Sequence, residues 1–139
     1  MAISYGPASR VNIEQLDGRL QRVLYRYADW APPELDLSII CGHRGEAAQT
    51  AAFNARRSKT PWPKSKHNRL PSWAFDFTPY PFAGGKDWND LARFARIAGG
   101  ILIAAAIEKV PVRWGGDWDQ DGATIDETFV DAGHVELIG

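Results

Sequence analysis

Ala74-Phe75-Asp76-Phe77, closed by Pro79-Tyr80-Pro81, alternates apolar and aromatic side chains and reads as a brief strand with a carboxylate inside it. Phe75 and Phe77 flank Asp76, an expensive place for a charge unless a cation or several donors compensate it. A metal ion is one such partner; a buried ion pair with Arg44 or Arg113 is the other. Spacing alone does not choose between them.

Upstream, Arg56 to Pro71 carries three prolines and many basic residues, so it is loop, and His67 lies within it. Glu46 to Ala55 is alanine-rich and helical. Leu37-Ser38-Ile39-Ile40-Cys41, bounded by Gly42, is rich in branched residues and reads as a strand that delivers His43 and Arg44 at its end. Asn12 followed by Gln15 resembles a capping box, and Ile13, Leu16, Leu20, Val23, Leu24 and Tyr27 recur at helical spacing. A first helix is therefore expected to about Ala28, with Gly18 inside it at a cost of roughly 1 kcal/mol, ended by Ala31-Pro32-Pro33.

Downstream, Asp87-Trp88-Asn89-Asp90 starts a long helix that continues to about Lys109, with acidic residues at its positive end. Its stretch from Ile97 to Ile107 is apolar nearly all round, but a membrane span needs about 20 residues, so a core helix is predicted. Val112-Arg113-Trp114 and His134-Val135-Glu136-Leu137-Ile138 finish the chain as strands, separated by an acidic, glycine-containing loop. There is no repeat, linker or low-complexity tail, and 139 residues fit one domain spanning 1–139.

A formal charge of -1 with 24% charged residues gives no global pull toward nucleic acid or another polyanion. The single cysteine, Cys41, excludes an internal disulfide and reads as a buried thiol in an apolar run. Met1 to Pro7 lacks the basic start and apolar stretch of a secretion signal, so a cytoplasmic location before release is expected. A monomer is expected as well.

Two histidines carry the chemistry. His67 and His134 each have an aspartate at short range, and the strand after His134 would anchor it against the core; His43 reads as an ordinary hydrogen-bonding or surface histidine. Two imidazoles and a carboxylate, with a further carboxylate left over to move protons, match zinc-assisted hydrolysis, where three protein ligands leave one position open for water. Asp117-Trp118-Asp119-Gln120-Asp121-Gly122 places Asp117, Asp119 and Asp121 as in the first half of a calcium loop, with Thr128 where glutamate is usual and Asp126 and Glu127 beside it. A calcium site and a solvated acidic loop are the two readings of it.

The motifs Ser65-Lys66-His67, Ala74-Phe75-Asp76 and Asp131-Ala132-Gly133-His134, in that order, resemble those of the zinc D-alanyl-D-alanine carboxypeptidases and L-alanyl-D-glutamate endopeptidases that cut bacterial cell-wall peptides, and most of all the short phage endolysins. Gly42-His43-Arg44, Pro79-Tyr80, Asp87-Trp88-Asn89-Asp90, Arg113-Trp114-Gly115-Gly116-Asp117-Trp118 and His134-Val135-Glu136-Leu137 match in addition. The loop from His67 to Asp76 is longer than in that pattern, and Ser72, beside Pro71, stands near its usual glycine.

The resemblance implies an α+β fold of the hedgehog and DD-peptidase kind, with a small, mainly antiparallel sheet and zinc in a cleft on it. It implies His67, Asp76 and His134 as zinc ligands, Asp131 as general base and later proton donor, and Arg44 as the group that stabilises the oxyanion. Ser65 would orient the loop or a substrate group. Basic residues between Arg56 and Arg69, with Trp62 and Trp73, offer a groove for an acidic glycopeptide. The expected substrate is the peptidoglycan stem peptide, cut at L-alanyl-D-glutamate; D-alanyl-D-alanine cleavage and a non-catalytic zinc or wall-binding module are the alternatives.

Overall fold

The computed structural model describes residues 3–118, 120 and 131–139. Among these, four α-helices and four strands make an α+β fold in which all neighbouring strands run antiparallel. The helices are α1 Pro7–Glu14, α2 Gly18–Trp30, α3 Glu46–Asn54 and α4 Leu91–Ile107. The strands are β1 Leu37–Cys41, β2 Ala74–Pro79, β3 Val112–Trp114 and β4 His134–Leu137, in the order β1-β2-β4-β3.

Side chains alternate across a strand, and the register divides the sheet cleanly. Ile39 faces Phe77 across β1 and β2, and Phe75 faces Val135 across β2 and β4. These residues, with Leu137, belong to the buried apolar cluster that also takes in α2 and α4. The opposite face carries Asp76 opposite His134, and Glu136 between Ala74 and Arg113. One face of the sheet builds the core, and the other displays ionisable groups.

A β-bulge between Ile39 and Cys41 changes which face the end of β1 presents. Cys41 pairs with Asp76 rather than continuing the inward row of Leu37 and Ile39. Bulges re-aim side chains in this way, often beside functional sites. The thiol expected to be buried in the apolar run is instead half-buried on the polar face.

The first helix differs from the expectation. Asn12 does not cap a helix that begins there; it lies inside α1 and its amide donates to the Ile39 carbonyl at 2.8 Å, while Gln15 closes α1. The chain turns at Leu16, and Asp17 caps α2 by accepting from the Arg19 N–H at 2.9 Å. Gly18 is thus the first residue of α2 and carries no interior penalty.

At the long helix, Gly85–Asn89 forms a separate 3-10 turn and Asp90 is the cap of α4, accepting from the Arg93 N–H. Phe94, Ile97, Ala98, Ile101, Ala104 and Ala105 are buried on one side of α4, whereas Ile103 and Ile107 are about half exposed on the other. Among the described residues, no helix is long and apolar enough to cross a membrane.

Candidate metal centre and catalytic cleft

Asp76 arrives on the middle of β2 and His134 on the first residue of β4, directly opposite. His67 comes from the 3-10 turn Lys66–Asn68, and local bonds fix that turn. Ser65 accepts from the His67 N–H at 3.2 Å, Asn68 accepts from the Ser65 N–H at 3.0 Å, and the Arg44 N–H donates to the His67 carbonyl at 2.8 Å. In the loop before Asp76, Ser72 is buried and its hydroxyl donates to the Ala74 carbonyl at 2.7 Å.

Three donor atoms then meet. His67 Nε2 lies 3.1 Å from Asp76 Oδ1, His134 Nδ1 lies 3.1 Å from the same oxygen, and the two nitrogens are 3.2 Å apart. Two ligand atoms each about 2.0–2.1 Å from a tetrahedral zinc stand roughly 3.3 Å apart, so this triangle has the size of one face of such a tetrahedron.

Protonation leads to the same conclusion. His67 Nδ1 lies 2.7 Å from the Gly42 carbonyl oxygen, which only accepts, so Nδ1 carries the hydrogen. His134 Nε2 lies 2.9 Å from Glu136 Oε1, which likewise makes Nε2 the donor. In their neutral forms both imidazoles therefore turn lone pairs toward a carboxylate oxygen. Three acceptors that close together need a cation between them, and the donor set fits a divalent metal.

Without a metal, a proton supplies that charge. Burial by itself lowers the pKa of His67, but the charge and hydrogen bond of Asp76, together with Cys41, push it up to about 10. His134 is likewise raised, because its bonds to Asp76 and Glu136 outweigh burial. Asp76 is held well below the usual carboxylate range: burial opposes this, and the two histidines overcome it.

The second oxygen of Asp76 is not idle. Arg44 Nη2 donates to Oδ2 at 3.1 Å, so a half-buried ion pair and a metal-type site share one carboxylate, one on each oxygen. Arg113, the other partner offered by the sequence, pairs with Glu136 instead. Gln49, fully buried on α3, holds the guanidinium of Arg44 from behind at 3.0 Å.

Asp131 precedes β4, and its carboxylate, Asp76 and a nitrogen of His134 lie within 4.8 Å of one another. Burial pushes the Asp131 carboxyl upward, and the nearby charge of Asp76 adds to this. Gly133 brings this segment close: its carbonyl accepts from the Phe77 N–H at 2.8 Å, and a Cβ there would stand 2.5 Å from the Phe77 oxygen. Its φ is not positive, so the lack of a side chain, rather than unusual backbone freedom, is what the site requires.

These groups sit in a cleft of about 830 Å³ that also includes Trp88, Trp118, Ser58 and Thr60. His43 and Ser65 line it too. Three contributors were not singled out from the sequence. Cys41 Sγ is 3.9 Å from His67 Nδ1 and, with His67 and Asp76, forms a second group of possible ligand atoms. Gln49 and Glu136 are the others; neither takes a role from the sequence, because what each holds, the Arg44 guanidinium and the His134 ring, becomes part of a site only once the strands pair. Of the expected calcium residues, Asp117 is described, whereas Asp119 and Asp121 lie outside the described residues.

Two donors on an antiparallel sheet and a third on the adjoining turn, opening on a cleft beside the Asp131 carboxylate and a fixed arginine, are a set that could hold a metal ion and place the protein among the hydrolases. The phage L-alanyl-D-glutamate peptidase family matches residues 1–138, and the chain belongs to that family. It is 33% identical, over 99% of its own length and 100% of the relative, to the L-alanyl-D-glutamate peptidase of Escherichia phage T5. Its fold is similar to that of the L-Ala D-Glu endopeptidase ChiX of Serratia marcescens, with a TM-score of 0.71, 27% identity, and coverage of 96% of this chain and 89% of that one.

Proposed function

We propose that the protein is a zinc endopeptidase that hydrolyses the L-alanyl-D-glutamate bond of the peptidoglycan stem peptide. The observation that carries this reading is the donor triangle of His67 Nε2, Asp76 Oδ1 and His134 Nδ1, with edges of 3.1–3.2 Å; the bond is the one that the phage T5 peptidase and ChiX are named for. These three residues would hold the metal, and a single copy of the chain supplies every group needed.

A bound zinc supplies Lewis acidity and brings the pKa of water down to about 7. Asp131 takes the proton from the attacking water, for which a carboxyl pushed upward by burial is suited. As the alanyl carbonyl carbon gains its new bond, its oxygen becomes negative, and Arg44, held in place by Asp76 and Gln49, provides the compensating charge. Asp131 then returns the proton to the departing glutamate nitrogen, the C–N bond breaks, and an alanyl carboxylate and a free amine remain. Ser65 keeps the His67 turn in place.

Mass spectrometry of digested peptidoglycan tests the proposal. The zinc-loaded protein is expected to release fragments with a new amino-terminal glutamate. Asp131→Asn should retain the metal and lose at least about 100-fold in rate. Release of a single terminal alanine would reassign the bond to D-alanyl-D-alanine, and an unchanged rate in the variant would remove Asp131 from the mechanism.

A further inference from the structure

Glu136 has three partners, His134, Arg113 and Lys66, although the mechanism makes no use of it. It is a buried residue with a side chain only 10% exposed. Oε1 accepts from His134 Nε2 at 2.9 Å. Oε2 accepts from Arg113 Nη2 at 3.0 Å and Nε at 3.1 Å, and from Lys66 Nζ at 3.1 Å. Lys66 adjoins His67 in sequence and also donates to the Leu137 carbonyl, while Arg113 lies opposite Glu136 on β3. One carboxylate thus ties the turn that carries the first imidazole to the strand that carries the second.

We infer that Glu136 is a positioning residue for the metal centre: by accepting the Nε2 hydrogen it compels His134 to present Nδ1 to the metal. An imidazole has two tautomers, and only the one with a bare Nδ1 completes the triangle. A carboxylate acceptor both selects that tautomer and makes the opposite nitrogen more basic. The ring also has a steric reason to stay in place, since Trp118 lies against it with centroids 5.5 Å apart, but ring packing does not discriminate between the two nitrogens. Arg113 and Lys66 in turn pin the carboxylate, so its free oxygen cannot rotate away from the histidine without breaking both ion pairs. His67 has a corresponding anchor in the Gly42 carbonyl, but His134 depends on a side chain.

The inference rests on reading His67, Asp76 and His134 as metal donors, and the experiment separates the two. Zinc affinity is measured by competition with a chromophoric chelator for the unmodified protein, Glu136→Gln and Glu136→Asp, with the melting of each metal-free protein recorded alongside. Glu136→Gln leaves an amide that either donates or accepts at this position. Glu136→Asp keeps the charge for Lys66 and Arg113 but retracts it by one methylene from Nε2. Both variants are expected to bind zinc 10- to 100-fold more weakly.

Wild-type affinity in either folded variant overturns the positioning role, while failure of the unmodified protein to take up zinc overturns the donor reading itself. If neither variant folds, nitrogen-15 spectra of the zinc-loaded unmodified protein decide. A hydrogen on Nε2 of His134 with Nδ1 on the metal supports the assignment, and the reverse arrangement overturns it.

Discussion

Gly133 shows how narrowly single residues fix this site. A Cβ at that position would lie 2.5 Å from the Phe77 carbonyl oxygen, a backbone atom that cannot swing aside. Gly133→Ala is therefore expected to push the start of β4 off β2, destabilise the fold by about 1–3 kcal/mol and weaken metal binding. Thermal melting and chelator competition check this; an unchanged affinity would show that the segment yields without moving His134. At this scale the sequence is informative where a residue type is rare and its neighbours local. His67, Asp76 and His134 stand out as two imidazoles and a carboxylate between phenylalanines, and the fold brings all three together. Cys41 is misleading because a bulge, invisible in composition, turns it out of the apolar row. Glu136 is hidden because two of its partners, Lys66 and Arg113, are contributed by other elements.

Two adjacent glycines in α4 give opposite expectations. Nothing lies within 4 Å of a Cβ built on Gly99, so Gly99→Ala should stabilise the protein by roughly 0.5–1 kcal/mol through helix propensity. At Gly100 the same methyl would meet the buried Tyr27 ring at 2.6 Å. Tyr27 is anchored through its hydroxyl to the Leu35 carbonyl, so it cannot retreat. The overpacking cost of about 1–3 kcal/mol then exceeds the propensity gain, and Gly100→Ala should melt lower than the unmodified protein while Gly99→Ala melts higher. The bounds of β1 are legible in the sequence from branched residues ended by glycine, and those of α3 from its alanines. The division between α1 and α2 is less so: the periodic apolar residues run through it, and the break shows only in Asp17-Gly18, a cap followed by a poor helix interior residue. An apparent capping box at Asn12 and Gln15 obscures that signal, since Asn12 spends its amide on Ile39.

For the molecule as a whole, the metal should act as a ligand of the native state alone, because its donors come from a turn and two strands that only the fold assembles. At a free concentration 100 times its dissociation constant, such a ligand adds about 2.7 kcal/mol, or roughly 10 °C for a chain of this size. Chelation should lower the melting temperature by about that amount, and the difference should shrink progressively as the pH falls below about 10, the value to which His67 is pushed up, because protons then compete with the metal for its imidazole. Calorimetry with and without chelator at several pH values checks both; equal melting at neutral pH would mean that no metal is held. The α+β class is legible from the pattern of strands and helices, whereas the strand order β1-β2-β4-β3 depends on long-range pairing that no local signal encodes. That order has a temporal consequence. His67 and His134 are separated by 67 positions, and β4 inserts between β2 and β3, both of which precede it in the chain. Until it docks, a nascent chain lacks one imidazole and has not brought Asp131 into place. A growing polypeptide on the ribosome therefore has no assembled centre until β4 has been made and has closed the sheet between β2 and β3.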